Sequence, residues 1–107
     1  MKRGDVVTVA LQGDLGKPRP ALVIRSDLFD AHPSVTILPL TSDLRATPLF
    51  RIAVDPTPDN GLAKPSQAMV DKPQSAARDK MGTVLGHLDD AAMLAVHRAL
   101  AGLSGSA

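Results

Sequence analysis

The 107-residue chain has no cysteine, tryptophan or tyrosine, and only two phenylalanines, Phe29 and Phe50. Without cysteine it can form no disulfide, no thiol nucleophile and no cysteine-ligated metal site, which fits a reducing cytoplasm. With so few aromatic residues, it cannot build a platform that stacks several nucleobases on rings. It also lacks an apolar run long enough to span a membrane as a helix. The basic start Met1-Lys2-Arg3 has no apolar segment behind it, so we expect no signal peptide.

Charge of one sign is not in excess either. The chain has 12 Lys and Arg against 11 Asp and Glu, a formal net charge of +1. Bulk attraction to nucleic acid is therefore absent, and any such binding must come from the local placement of charges. The length fits a single domain over residues 1–107 with a modest core. We expect only the tail, residues 104–107, to be disordered.

The most informative segment that is present is Lys17-Pro18-Arg19-Pro20, directly before the apolar run 21–24. Proline fixes its own φ and pushes the preceding residue towards extended conformations. Lys17 and Arg19 both precede a proline, so a stiff segment presents their side chains. A guanidinium held in this way suits the recognition of a phosphate. The alternative is a solvated arginine at the start of a strand.

Short apolar runs separated by turn residues predict a small, strongly curved antiparallel sheet or barrel of five or six strands. In the third strand, Pro39 is expected to place the strand's end at an edge or a bulge. In the fourth, alternation predicts that Phe50, Ile52 and Val54 face inward. Residues 72–80 are polar and are expected to include one helical turn. The predicted strands cover residues 6–11, 21–24, 35–40, 50–54, 67–70 and 81–86.

The last part of the chain predicts one helix. Asp89-Asp90 places acidic residues at its positive end, as the helix dipole favours. An apolar stripe follows at helical spacing, and Gly102 or Gly105 is expected to end the helix. The stripe consists of Met93, Val96, Leu100 and Leu103.

Five segments form a pattern in this order: RGDVV at 3–7, GKPRPALVI at 16–24, LPLTS at 38–42, GLAKPSQAMVD at 61–71 and GHL at 86–88. Taken together, these segments resemble the MazF/PemK family of toxin ribonucleases. The resemblance implies an SH3-like barrel with a C-terminal helix, which pairs as a two-fold homodimer. It also implies a toxin that cleaves single-stranded RNA without a metal or another cofactor, and that a co-expressed antitoxin neutralises. In the reaction that the resemblance implies, the 2′-hydroxyl attacks the neighbouring phosphate and leaves a cyclic phosphate and a 5′-hydroxyl.

The resemblance also implies roles for three candidate catalytic residues. Arg19 matches the family's loop arginine and is expected to stabilise charge on the phosphorane. Its alternative role is structural, paired with a carboxylate such as Asp71. Thr41 matches a threonine at the end of the third strand and can donate to a phosphate oxygen or orient the 2′-hydroxyl. Asp14, in the loop before the arginine, is a candidate base or aligns Arg19; an aspartate in a Gly-Asp turn is the equally favoured alternative.

Further residues are candidates for RNA contact. Asp71 matches an aspartate at the end of the fifth strand, where some relatives carry an arginine two residues earlier; this chain has Met69 there. For each basic candidate, the default alternative to RNA contact is a solvated surface side chain. For Ser66 and Gln67, the alternative is that they only begin a strand. Together the basic residues could form a positive groove on a nearly neutral protein. The set is Lys17, Ser42, Arg45, Lys64, Ser66, Gln67 and Asp71, with Lys72 as a further basic flanking residue.

The three histidines, His32, His87 and His97, lie outside the matched motifs. None has the spacing of a paired general acid and base, and no His or carboxylate pattern indicates a metal site. The active site that the resemblance implies is instead built around Arg19 and Thr41.

Two readings from other functional classes stay open. One is a gyrase poison of the CcdB type, which shares the fold but acts by binding; such proteins use a tryptophan near the chain end, which this chain lacks. The other is a barrel that binds RNA or antitoxin without cutting, which Met69 in place of the arginine favours. Arg19, Thr41 and Asp14 together favour the ribonuclease.

Overall fold

Seven strands and one helix make up the fold in the computed structural model, which describes residues 1–10, 17–27, 34–46 and 50–103. Asp14, His32 and the 104–107 tail lie outside the described residues. No helix in the described part is long and apolar enough to cross a membrane. The elements are β1 (Asp5–Val9), β2 (Arg19–Asp27), β3 (Ser34–Thr41), β4 (Arg51–Val54), β5 (Ser66–Met69), β6 (Gln74–Ala77), a 3₁₀ turn (Arg78–Lys80), β7 (Met81–His87) and α1 (Asp90–Leu103).

The strands form one antiparallel sheet in the order β4-β5-β3-β2-β1-β7, with β6 also paired to β3. Among the described strands β4 and β7 do not pair, so the curved sheet stays open. The predicted class, a curved antiparallel sheet with one C-terminal helix, is confirmed.

Strand β3 is shared between two parts of the sheet. Its first residues, Ser34 to Ile37, pair with β6, and its last residues, Leu40 and Thr41, pair with β5. Pro39 lies between these stretches, opposite Ala21 of β2. The strand continues past Pro39 to Thr41, and Pro39 itself is in neither the β6 nor the β5 pairing, in keeping with the edge or bulge expected there. A proline is tolerated here because the partner on that side changes from β6 to β5, where a missing N–H breaks no continuous ladder.

Both faces of the central strands are covered, which explains their continuous apolar sequences. On one face a cluster that includes Val6, Leu22 and Leu38 packs with Val96 of α1. On the other face Val7, Val9, Ala21, Val23, Val35 and Ile37 form a second cluster. Adjacent residues such as Val6 and Val7 therefore support different cores, as the alternation of a strand requires.

Two expectations about the second half of the chain were wrong. Strand β6 was not predicted, because Gln74-Ser75-Ala76-Ala77 has low intrinsic strand propensity; its pairing with β3 overrides that preference. The 3₁₀ turn that follows does match the expected helical turn. Phe50, expected inward, is 41% exposed, because β4 begins only at Arg51.

The helix begins where the sequence predicts. The Asp89 carboxylate accepts a hydrogen bond from the backbone N–H of Ala92 at 2.8 Å, as an N-cap does. Val96 is fully buried, and Met93 and Leu100 pack beside it against the first core cluster. The helix continues through Gly102 to Leu103.

Candidate active site

An open groove of about 500 Å³ lies where β2 begins, β3 ends and β5 is joined to β6. It is called the groove below. Its walls combine apolar surface with basic and hydroxyl side chains. The lining residues are Arg19, Pro20, Pro39, Leu40, Thr41, Ser42, Leu62, Ala63, Lys64, Ser66, Met69, Lys72 and Gln74.

Strand register explains why Arg19 and Thr41 line the same groove. Ala21 of β2 pairs with Pro39 of β3 in antiparallel fashion. Arg19 comes two residues before Ala21 on β2, and Thr41 comes two residues after Pro39 on β3. Because the strands are antiparallel, both steps lead to the same end of the pair, and both residues line the groove. Arg19 is exposed and is the first residue of β2, flanked by Pro18 and Pro20. The stiff presentation that the two prolines predict therefore places the guanidinium at the groove.

The Thr41 hydroxyl has a defined orientation. Its Oγ1 accepts a hydrogen bond from the backbone N–H of Asp43 at 3.0 Å. A hydroxyl has one proton to donate and two lone pairs to accept with. Because this bond uses the oxygen as an acceptor, the proton stays available to donate. A threonine placed in this way can donate to a phosphate oxygen.

The rim of the groove is electropositive. Arg19, Lys64 and Lys72 line it, and no Asp or Glu is among the described residues that do. Lys64 and Lys72 are both exposed. Ser66, in contrast, is buried, and its Oγ donates to the Lys64 carbonyl at 2.9 Å, which fixes the entry to β5. Lysines close to a guanidinium suit a polyanion, because each can contact a separate phosphate.

The structure brings six of the residues named in the sequence analysis together and leaves four apart. Those in the groove are Arg19, Thr41, Ser42, Lys64, Ser66 and Lys72. Lys17, Arg45, Gln67 and Asp71 do not line it. Lys17 is exposed two residues before Arg19, and Asp71 is exposed in the turn after β5. Gln67 and Arg45 are bonded to each other, as described below.

Sequence reasoning missed part of the groove wall. Gln74 belongs to β6, a strand that was not predicted, so no pattern pointed to it. Met69 was considered only as the absence of an arginine, yet it lines the groove itself. Pro39 and Leu62 supply further apolar surface, and their spacing in the sequence gives no indication of it.

Comparisons with known proteins decide the family. Residues 2–103 match the family model described as the PemK-like, MazF-like toxin of type II toxin-antitoxin system. The chain belongs to this family. It is 43% identical over 101 residues to a probable endoribonuclease MazF of Mycolicibacterium smegmatis (strain ATCC 700084 / mc(2)155), covering 94% of this chain and 93% of that protein. The chain is thus a homologue of a MazF toxin.

Solved structures support the same fold. The Mycobacterium tuberculosis toxin MazF-mt6 superposes with a TM-score of 0.77 at 24% identity, covering 94% of this chain and 96% of that one. An endoribonuclease in complex with its cognate antitoxin, from mycobacterial species, superposes with a TM-score of 0.76 at 24% identity, covering 98% of this chain and 95% of that one. MazF from Deinococcus radiodurans superposes with a TM-score of 0.74 at 20% identity, covering 98% of this chain and 96% of that one.

The described histidines of this MazF/PemK-family chain lie away from the groove. Arg3 Nη2 lies 2.8 Å from Nδ1 of His97 on α1 and also contacts Nε2. Partial burial, and then the charge of Arg3, lower the pKa of His97 below its ordinary value of 6.5. In the described part of the chain, no three His, Asp or Glu side chains come close enough together to hold a metal ion.

A second hollow, of about 270 Å³, lies between the end of β4, the 55–60 loop and the start of α1. It is called the acidic hollow below, because Asp55, Asp59 and Asp89 line it and none of its other described lining residues is Lys or Arg. Asn60 holds its loop in place. The Asn60 amide donates to the Asp55 carbonyl at 2.8 Å and accepts from the N–H groups of Thr57 and Leu62 at 3.1 and 3.0 Å.

Proposed function

We propose that this chain is a metal-independent endoribonuclease toxin that cleaves single-stranded RNA. The observation that carries the proposal is that Arg19 and Thr41 line one groove, whose charged lining residues are all basic in the part of the chain that the structure describes. Membership of the MazF/PemK family, and the name of the 43% identical M. smegmatis relative, support the same activity.

The proposed reaction is a transesterification. The O2′–P bond forms and the P–O5′ bond breaks, giving a 2′,3′-cyclic phosphate and a 5′-hydroxyl. The 2′-hydroxyl proton leaves to a base, and a proton is delivered to the 5′-oxygen. Charge accumulates on the non-bridging oxygens between these events, so donors aimed at those oxygens lower the barrier.

Arg19 and Thr41 supply such donors. The planar guanidinium of Arg19 can hold two non-bridging oxygens, and it can also donate a proton to the leaving oxygen. Thr41 donates its remaining hydroxyl proton to a phosphate oxygen. Asp14, which precedes Arg19 by five residues, is proposed as the base or as the group that aligns Arg19. Arginine itself is a poor base, because its guanidinium stays protonated in proteins.

The remaining candidates are proposed to bind RNA. Lys64 and Lys72 in the groove, with Lys17 and Arg45 beside it, contact neighbouring phosphates. Ser42 and Ser66 line the groove. Gln67 lies on β5 beside Ser66, and Asp71 lies in the turn after β5. With so few aromatic side chains, nucleobases pack on the apolar wall formed by residues such as Met69 and Leu62.

The partners of the toxin follow from the same family. One solved relative is titled as an endoribonuclease in complex with its cognate antitoxin. We propose that this chain is likewise neutralised by a cognate antitoxin and that it acts in the cytoplasm. The helix α1, on which Leu94 is 49% exposed, is proposed as part of a homodimer interface.

The test is cleavage of a long single-stranded RNA by the purified protein in EDTA, with mapping of the ends. We expect discrete cuts with 2′,3′-cyclic phosphate and 5′-hydroxyl ends. Arg19→Ala is expected to lower the rate by about 10²–10³-fold, as the loss of a donor to a developing anion does. Arg78→Ala, in the 3₁₀ turn away from the groove, is the charge-matched control and should cut normally.

Two results would contradict the proposal. If the folded wild-type protein cuts no RNA, the chain is a toxin-fold binding protein without catalysis. If Arg19→Ala cuts as fast as the wild type, cleavage takes place but the assignment of Arg19 is wrong.

A further inference from the structure

The segment that follows Thr41, residues 42–46, is exposed along its whole length. It contributes no residue to either core cluster, so hydrogen bonds must hold it in place. Several of those bonds come from the side chains of two strands that lie beside it. These bonds connect the segment to the Thr41 hydroxyl.

Gln67 of β5 makes the principal contact. Its Oε1 accepts a hydrogen bond from the Arg45 backbone N–H at 3.0 Å, and its Nε2 donates to the Arg45 carbonyl at 2.9 Å. The side-chain amide thus satisfies both backbone groups of one residue, as a neighbouring strand would. Both polar atoms of the Gln67 amide therefore already bond to the Arg45 backbone in the protein without RNA.

Arg51 of β4 provides a second contact. Its Nη1 donates to the Asp43 carbonyl at 3.2 Å and lies 3.4 Å from Oε1 of Gln67. Asp43, held by its carbonyl, donates its own N–H to Oγ1 of Thr41. The Asp43 carboxylate in turn pairs with the Arg45 guanidinium at 3.1 Å. The contacts therefore run from β4 and β5, through the backbone of the 42–46 segment, to the Thr41 hydroxyl.

We propose that Gln67 and Arg51 are positioning residues that hold the 42–46 segment and thereby orient the Thr41 hydroxyl towards the scissile phosphate. This inference rests on the proposed ribonuclease function and changes the role of Gln67 within it, from an RNA contact to a support for Thr41. A catalytic group that is displaced slightly loses much of its effect on rate while the substrate still binds. The positioning role therefore acts mainly on kcat.

The first measurement is single-turnover RNA cleavage by Gln67→Ala. At saturating RNA we expect the rate to fall by about tenfold, with the RNA concentration for half-maximal rate changing much less. Gln67→Glu keeps the acceptor for the Arg45 N–H but places a carboxylate oxygen against the Arg45 carbonyl oxygen. Because two acceptors repel, its rate should fall at least as far as that of Gln67→Ala. Asp79→Ala, in the 3₁₀ turn, is the control and should match the wild type.

A double-mutant cycle shows whether Gln67 acts through Thr41. If it does, adding Gln67→Ala to Thr41→Ala should lower the rate little further, because the hydroxyl being oriented is already gone. If Gln67 instead contacts RNA directly, its loss weakens RNA binding and costs the same factor in both backgrounds. That additive result would overturn the inference.

Amide hydrogen exchange tests the support without any cleavage. The Arg45 amide should exchange faster in Gln67→Ala than in the wild type, and the Asp43 amide should exchange faster in both Gln67→Ala and Arg51→Ala. Unchanged exchange at both amides would overturn the inference even if the protein cuts RNA. If the wild type cuts no RNA, the proposed function fails, while faster exchange still identifies Gln67 as the support of this segment.

Discussion

The groove and the acidic hollow are two depressions with opposite charge. Among the described residues, the charged ones that line the groove are Arg19, Lys64 and Lys72, whereas Asp55, Asp59 and Asp89 line the acidic hollow beside His87. The chain as a whole carries a net charge of only +1. A nearly neutral protein can therefore present a surface suited to a polyanion, provided that its acidic residues are placed elsewhere.

The two regions also differ in what their polar groups do. In the acidic hollow, the Asn60 amide supports its own loop and Asp89 caps α1. The Asp59 carbonyl accepts the backbone N–H of His87 at 2.8 Å, which joins the loop to β7. In the groove, the lysines are exposed on the surface. We therefore expect changes around the acidic hollow to affect stability and changes in the groove to affect RNA.

The largest effect on stability is expected from Gly86→Ala, beside the acidic hollow. A Cβ at Gly86 would overlap the Asp59 carbonyl oxygen and lie 2.7 Å from the Asn60 carbonyl carbon. Backbone atoms cannot move aside cheaply, so we expect the free energy of unfolding to fall by about 3 kcal/mol. Urea denaturation followed by circular dichroism measures this loss.

Gly102→Ala is the matched control for Gly86→Ala. No atom lies within 4 Å of a Cβ built at Gly102, which is in the last turn of α1. Alanine has the higher helix propensity, so stability should rise by up to about 0.5 kcal/mol. Equal losses at the two glycines would show that the close approach at Gly86 does not support the loop.

The next largest effect is expected on RNA binding, from a substitution in the groove. Lys72→Ala should weaken binding of single-stranded RNA and make the slope of log K against log salt shallower by about 0.7, as expected for one lost phosphate contact. Thermal stability should hardly change. Fluorescence anisotropy with a labelled RNA over a salt series, using the Arg19→Ala background to prevent cleavage, measures both affinity and slope.

Asp55→Ala, in the acidic hollow, removes a charge of the opposite sign and serves as the comparison for Lys72→Ala. It should leave the salt slope unchanged, because the Asp55 side chain lines the other depression. A change of slope at Asp55 as large as that at Lys72 would mean that overall charge, and not placement, governs RNA binding.

The smallest effect is expected from pH, and it involves the scaffold near α1. The pKa of His97 is lowered in the folded protein by partial burial and by Arg3. The unfolded chain therefore takes up this proton first, and stability is lost as the pH falls below about 6.5. Thermal unfolding at pH 8 and pH 5.5 should show a larger loss for the wild type than for His97→Gln. Equal losses of thermal stability in the two proteins would show that His97 does not contribute to the pH dependence of stability.

Much of the fold could be predicted from the sequence. The apolar runs predicted β1, β2 and β3, and Asp89 with the stripe at Met93 and Val96 predicted α1, because these signals are local and strong. Strand β6 could not be predicted, since its small polar residues form a strand only through pairing with β3. Phe50 was misplaced because period-2 alternation does not reveal where a strand begins.

The candidate site was predicted in part. Arg19 and Thr41, which the motif resemblance indicated, both line the groove. Their catalytic roles, like that of Asp14, remain predictions. Arg45 and Gln67 were grouped with the RNA contacts as polar residues near the motifs, and nothing in the sequence shows that they bond to each other across 22 positions. Such a contact depends on the path of the chain between β3 and β5.

The sequence by itself determined which segments become strands and helix, because periodicity, turn residues and caps act within a few residues. It also determined that a stiff, proline-flanked arginine starts β2. Only the tertiary structure decided which side chains share the groove, because antiparallel register brings Arg19 beside Thr41 and lets Gln67 reach Arg45. It likewise decided that basic and acidic residues mixed along a nearly neutral chain separate into the groove and the acidic hollow.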